Sequence, residues 1–241
     1  MGKSCEPPPV CRKIKSRGGL LPKKPKALAF DFDGTIVDSV DYMASTWLQL
    51  AQSMGIEPHV NVRELVGMTG NQIARILAGG NEALVAEMVA KRREHFDVDR
   101  YVTNVKLFPE SVAVLAELRR RGYRMALASS TTAERIQRMA SSFGVETYFD
   151  ATVGGDEVAR SKPAPDLVIE AAMRLRTDVS EMAYVGDTRH DVEATSRAGA
   201  MSILVLRKGA EYSGPAPDVI VHDLFGLIGT LLKHCPDIPN S

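Results

Sequence analysis

Short apolar runs recur along this chain and each ends in polar residues. They lie at 26–32 (KALAFDF), 123–129 (YRMALAS), 181–186 (EMAYVG) and 201–206 (MSILVL), with weaker ones at 150–153 and 218–221. Such runs are too short for helices and read as strands buried on both faces. Helix-period stretches separate them: 109–121 after Pro109, 132–143 before Gly144, 163–175 after Pro163, and 189–198 before Gly199. Strands alternating with helices of this length predict βαβ units, hence an open α/β domain whose parallel sheet carries helices on both faces. Residues 39–100 break that rhythm. Amphipathic stretches at about 39–54, 61–66, 70–78 and 81–97, separated by Gly55, Pro58, Gly67 and Gly79-Gly80, contain no strand pattern and predict an inserted helical unit. The expected organisation is a disordered basic N-terminal tail over 1–25, an α/β core from 26–40 and 105–241, and a helical insert over 41–104.

Composition narrows the class. With 241 residues, 44% hydrophobic and 25% charged, the chain can bury a sizeable core, which excludes a disulfide-stapled mini-protein and a disordered polymer. The formal net charge is zero, so nothing global argues for a nucleic-acid or membrane partner. The zero hides an asymmetry: residues 1–26 carry eight basic residues against Glu6, and the remainder is correspondingly acidic. Cys5, Cys11 and Cys235 are an odd number placed near the ends, which suits a reducing compartment and offers no zinc quartet. No apolar run approaches the roughly 20 residues of a membrane span, and the basic N-terminus lacks the apolar stretch of a secretory signal. The expectation is a soluble, cytoplasmic protein; the oligomeric state is not written in these residues.

In an open α/β sheet, ligands bind beyond the carboxyl ends of the strands. The polar residues ending each run therefore converge: Asp31, Asp33, Gly34 and Thr35 after the first strand, Ser129 and Ser130 after the second, Ser161-Lys162-Pro163 ahead of a helix, and Gly186-Asp187 with Asp191 after a later strand. Each close carboxylate pair in such a group repels by about 4 kcal/mol at ~4 Å and an effective dielectric near ~20. A compensating cation is required. Oxygen donors, with His190 the one His or Cys beside them and pointing to no defined task, favour a hard ion such as Mg²⁺ over zinc. Loop amides at Gly34 and Thr35, the helix following Ser129, and nearby hydroxyls can hold a phosphate.

DFDGTIVDS at 31–39, LASST at 127–131, SKPAPD at 161–166 and GDTRHDVEA at 186–194 stand in the order and spacing of the haloacid dehalogenase superfamily, which the chain resembles over essentially all of 26–222. The helical insert resembles the cap that follows the first motif in phosphoglycolate-phosphatase-like and β-phosphoglucomutase-like members. The resemblance implies a Rossmann-like core and two-step phosphoryl transfer through an aspartyl-phosphate. Asp31 would be the nucleophile, and Asp33 would protonate the leaving oxygen and then activate water, a division open to coupled carboxylates. Ser129 would donate to the phosphate, with Ser130 either a site hydroxyl or a helix N-cap. Lys162 would bridge phosphate and nucleophile. Mg²⁺ would be held by Asp31, Asp187 and the Asp33 backbone carbonyl, with Asp191 orienting a metal water or Lys162. Within RELVGMT (63–69), Gly67 and Met68 would face the substrate.

Competing readings are separable. Asp33-Gly34 alone is as consistent with a turn or the start of a calcium loop, but Thr35-Ile36-Val37 breaks the calcium pattern. Met43, Trp47 and Met54 read as packing residues, and the histidines as surface or packing residues. A sugar-phosphate mutase is the enzymatic alternative, yet Met43 and Gly70 stand where such a cap is expected to carry histidine and arginine. A phosphonate-cleaving member would need a cap lysine, and residues 39–90 contain none. A non-catalytic binding protein of the same fold is the remaining class. The expectation is a Mg²⁺-dependent phosphatase of a small phosphorylated metabolite, with phosphoglycolate a candidate.

Overall fold

A computed structural model describes residues 24–233. The elements follow one another as β1 (Ala27–Phe30), β2 (Val37–Asp38), α1 (Val40–Ser53), α2 (Gly70–Leu77), α3 (Glu82–His95), α4 (Val98–Asn104), β3 (Lys106–Leu107), α5 (Ser111–Arg120), β4 (Arg124–Ser129), α6 (Ala133–Ser142), β5 (Ala151–Gly154), α7 (Asp166–Arg174), β6 (Met182–Gly186), α8 (Arg189–Ala198), β7 (Met201–Val205), β8 (Val219–Val221) and α9 (Leu224–Lys233), with short 3₁₀ turns between some of them. Six strands form one parallel sheet in the order β5-β4-β1-β6-β7-β8. The chain winds outward from β1 to one side through β4 and β5, then returns to build the other side through β6, β7 and β8. The order reverses at β1, so a crevice opens above its carboxyl end.

The two-residue alternation of a strand sorts β1 onto both faces. Leu28 and Phe30 point with Met125 and Leu127 into a cluster that takes Val114, Leu115 and Leu118 of α5 and Ile136 and Met139 of α6. Ala27 and Ala29 point with Ala126 and Ala128 to the opposite side, where Leu167, Val168 and Ala171 of α7 pack. Alanines on that face let the helix approach the sheet closely, and full burial of each large side chain on the other contributes about 1.5–3 kcal/mol. The helices between β2 and β3 gather a third apolar cluster of their own, centred on Trp47, Val62, Ile73, Ala74 and Met88.

The six anticipated strands and four core helices are present, with the largest boundary difference at the start of α7. α7 begins at Asp166 and not at 163, because Ser161–Ala164 closes a turn through the Ala164 N–H to the Ser161 carbonyl. Three features escaped the pattern: the antiparallel β2–β3 ribbon, α4, and α9. Two-residue strands and a seven-residue helix are shorter than the window over which a period can be read. The tail expected at 1–25 and all three cysteines lie in or beyond the segments outside the described residues, apart from Lys24 and Pro25. Among the described residues no helix is long and apolar enough to cross a membrane.

Candidate active site

Asp31 directly follows β1, the strand at which the order reverses. Its N–H donates to the Val185 carbonyl of β6, which continues the ladder one residue past the strand and aims the side chain over the sheet's end. Asp31 is 1% exposed. Its Oδ1 accepts the Phe32 N–H at 2.8 Å, whereas Oδ2 is buried, accepts no hydrogen bond, and lies 2.8 Å from Lys162 Nζ as an ion pair. Lys162 is itself wholly buried and donates to Asp191 Oδ1 at 2.7 Å and to the Tyr184 hydroxyl at 3.3 Å. The Tyr184 hydroxyl donates in turn to the Ala128 carbonyl.

Asp191 is held from both sides. Thr188 caps α8, its hydroxyl accepting the Asp191 N–H, while Asp191 Oδ2 accepts the Thr188 N–H at 2.9 Å and hydroxyl at 2.6 Å. The Gly-Asp-Thr-Arg-His-Asp spacing is thus a helix-start signal as well as a site motif. Asp187, between strand and cap, receives the Thr35 hydroxyl at 3.1 Å on Oδ1. Gly34 has φ +77°, and a Cβ there would sit 2.1 Å from Asp187 Oδ2, so this turn admits the Asp187 carboxylate only because position 34 has no side chain. The Gly34 N–H is committed to the Val37 carbonyl, and buried Thr35 serves Asp187.

The charges are poorly balanced within the protein. Asp31, Asp187 and Asp191 each offer a carboxylate oxygen within 4.8 Å of the others. Burial, opposed by Lys162 and reinforced by Asp191 and Asp33, pushes the Asp31 carboxyl up to about 7. Burial, with Asp191 and Asp31, also holds Asp187 well above the usual carboxylate range. Burial alone would lower Lys162, but Asp191 and Asp31 outweigh it and keep the ammonium charged. Both oxygens of Asp191 are already occupied, whereas Asp31 Oδ2 has the Lys162 ammonium beside it and Asp187 Oδ2 receives no hydrogen bond among the described residues. Three close carboxylates sharing one ammonium, with oxygen as the donor atom of each, fit a hard divalent cation.

Asp33 is buried and turns towards the helices. Its Oδ1 accepts the Ser39 hydroxyl and the Tyr101 hydroxyl of α4, each at 2.6 Å. Ser129, at the end of β4, is buried and its Oγ accepts the Thr131 N–H. Ser130 does not cap α6; Thr132 holds that position, and Ser130 Oγ donates to the Gly67 carbonyl at 2.7 Å and accepts the Ser161 hydroxyl. Gly67 has φ +100°, and a Cβ on it would meet Thr188 Cγ2 at 3.0 Å. Gln72 of α2 donates to the Lys162 carbonyl. A cavity of about 610 Å³ opens over this group, with Asp31, Asp33, Ser129 and Ser130 on the sheet side and Met43, Trp47, Gly67 and Met68 on the helical side. That volume suits a small molecule. Lys162, Asp187, Asp191, Gly34 and Thr35 stand behind its wall. Trp47 and Met43 both pack and line it.

Several contributors were invisible as site residues. Ser39 lies in the first motif but carries no signal of its own; Tyr101, Tyr184 and Gln72 come from segments with no motif at all. Only the fold brings the Tyr101 hydroxyl to a carboxylate 68 positions earlier.

The Haloacid dehalogenase-like hydrolase family model matches residues 28–205. A phosphoglycolate phosphatase of Cereibacter sphaeroides is 32% identical over 219 residues, covering 86% of this chain and 97% of its own. One of Aquifex aeolicus is 27% identical over 217 residues, 87% of this chain and 98% of its own. The crystal structure of a β-phosphoglucomutase from Clostridium difficile superposes with TM-score 0.70 at 21% identity, over 87% and 97% of the two chains, which speaks to the fold alone. A family match from β1 to β7 that takes in every acidic strand end leaves one assignment: the chain belongs to the haloacid dehalogenase-like hydrolases.

Proposed function

We propose that this chain is a Mg²⁺-dependent phosphatase that hydrolyses a small phosphomonoester through an aspartyl-phosphate on Asp31, with residues 41–104 acting as the cap over the α/β core. The observation that carries the reading is the Asp31 carboxylate: buried, paired through Oδ2 with the Lys162 ammonium at 2.8 Å, within reach of two further carboxylates, and part of the cavity lining. Curated relatives that span nearly their full length with this chain are phosphoglycolate phosphatases, which supports phosphoglycolate as the first substrate to test.

Asp31 and Asp187 would hold Mg²⁺ together with the Asp33 backbone carbonyl. When bound, the ion supplies charge neutralisation for an anion attacking an anion. The protein's residues supply the rest. The Asp31 carboxylate attacks phosphorus through one of its oxygens, held in orientation by the Phe32 N–H on Oδ1. Lys162 stays cationic beside the nucleophile and offsets charge on the transferring group. The Ser129 hydroxyl and nearby amides hold phosphate oxygens. Asp33 donates a proton to the leaving alcohol and then takes one from the water that cleaves the acyl phosphate. Asp191 positions Lys162. Met43 and Gly70, in place of the residues a mutase cap would carry, favour water as the final acceptor. Turnover of p-nitrophenyl phosphate by purified protein is expected, abolished by EDTA and restored by Mg²⁺. Asp31→Asn is expected to lower kcat by about 10³-fold or more. Persistence of activity in that variant, or indifference to chelation, would overturn the mechanism.

A further inference from the structure

The cavity carries a cationic feature that the phosphoryl-transfer machinery does not use. Arg92, in the last turn of α3, and Arg135, in the first turn of α6, both line it. They share one aromatic support: the Arg92 guanidinium lies 4.7 Å and that of Arg135 4.6 Å from the Phe96 ring centroid, and Arg92 also lies 5.1 Å from the Trp47 ring. Stacking on ring faces holds both planar groups in place.

Neither has an ion-pair partner among the described residues. Arg92 Nη2 reaches only the Met43 sulfur at 3.8 Å, and Arg135 Nη2 only the Arg93 carbonyl at 3.3 Å. Of the three other cavity arginines, Arg75 is neutralised by Glu82 and Arg160 by Asp166, while Arg93, also without an ion pair among the described residues, stacks on neither ring. Burial first, then the charge of Arg135, lowers Arg92 to about 10, and burial with the charge of Arg93 lowers Arg135. Compensation of helix dipoles does not explain the pair. It accounts for Arg92 at the end of α3, but Arg135 sits at the start of α6, where the dipole disfavours a cation. Partly buried like charges without counter-ions are costly unless an anion joins them.

We propose that Arg92 and Arg135 form a subsite for a second anionic group on the substrate, a carboxylate or a second phosphate. The preferred substrates are then phosphomonoesters whose leaving alcohol carries its own negative charge. One arginine comes from the helical region and the other from the sheet-bearing core, so the bound anion also ties the two together across the cavity. The inference rests on the phosphatase reading of the same cavity.

The test uses the full chain with Mg²⁺ and matched substrates: phosphoglycolate against its methyl ester, and 1,3-propanediol bisphosphate against propyl phosphate, with p-nitrophenyl phosphate as reference. In the wild type kcat/KM for a charged member should exceed that of its neutral partner by about 10-fold or more, as expected for charge-assisted hydrogen bonds. The pair showing the larger ratio identifies carboxylate or phosphate as the recognised group. Arg92→Met and Arg135→Met should each collapse that ratio, mainly through KM, and Arg92→Lys should restore part of it. A wild-type ratio near one for both pairs overturns the inference even if neither variant folds, as does a ratio that survives both substitutions. If p-nitrophenyl phosphate is not hydrolysed either, the phosphatase reading itself fails and the inference falls with it.

Discussion

The sheet-bearing core and the helical region between β2 and β3 contribute to the same cavity by different physical means. In the core, the three clustered carboxylates sit at strand ends or a helix start and are placed by local backbone: Asp31 by the Phe32 N–H, Asp191 by the Thr188 cap, Asp187 by the close turn at Gly34. The helical region packs mainly on its own apolar cluster. It meets the site through a few polar contacts, Gly67 with Ser130, Gln72 with the Lys162 carbonyl, and Tyr101 with Asp33. Buried, mutually dependent charges give the core rigidity, whereas the stretch from α1 to α3 touches the site through isolated hydrogen bonds, and α4 anchors the region by packing Val98 and Tyr101 into the core cluster. Such an arrangement suits a site whose chemistry needs fixed groups and whose access needs movement.

This contrast can be broken first at Lys162. Lys162→Met leaves Asp31 and Asp191 buried without their shared cation, and urea denaturation of the metal-free protein should show a loss of about 3–5 kcal/mol at neutral pH. A loss below about 1 kcal/mol, the size typical of an exposed pair, would mean that the core charges are not interdependent.

On the helical side, Tyr101→Phe removes one of the two donors to Asp33 Oδ1 and leaves Ser39 in place. We expect a stability cost of about 1 kcal/mol. Turnover should fall about tenfold, a part of the ~10²–10⁴ that acid–base catalysis contributes as a whole. Comparison with Ser39→Ala sharpens the result: if only the serine variant slows kcat, the helical region orients nothing in the chemistry.

The smallest effect concerns a core carboxylate outside the site. Partial burial would raise Asp150, but its hydrogen bonds to Arg119 and to the Met125 N–H outweigh this and hold it below the usual range. A depressed carboxyl stabilises the fold above its unfolded value, near pH 3.9, and loses that contribution as the pH falls through the lower folded value. Asp150→Asn should therefore cost about 1 kcal/mol or less at pH 7, after screening, with the difference from wild type vanishing in acid. A difference that grows on acidification would contradict the sign.

The amino-acid pattern alone specified the parallel α/β core, the place of the helical insertion and the acidic strand-end residues. Apolar runs, helix caps and D-x-D-G-T spacing are local, and strand order then forces the ends of β1, β4 and β6 into one crevice. Ser130, open between site hydroxyl and helix cap in the sequence, was decided by the fold, because its partner is a carbonyl 63 positions away. Gly34 and Thr35 were legible as important but not in their contacts: the glycine makes room for Asp187 and the threonine donates to it. Tyr101 on Asp33, Tyr184 under Lys162, and Arg92 and Arg135 on one phenylalanine ring were beyond any reading of the chain. Their chemistry arises from proximity between residues that no motif links, whatever the periodicity of the segments that carry them, and such proximity exists only once the tertiary structure has closed.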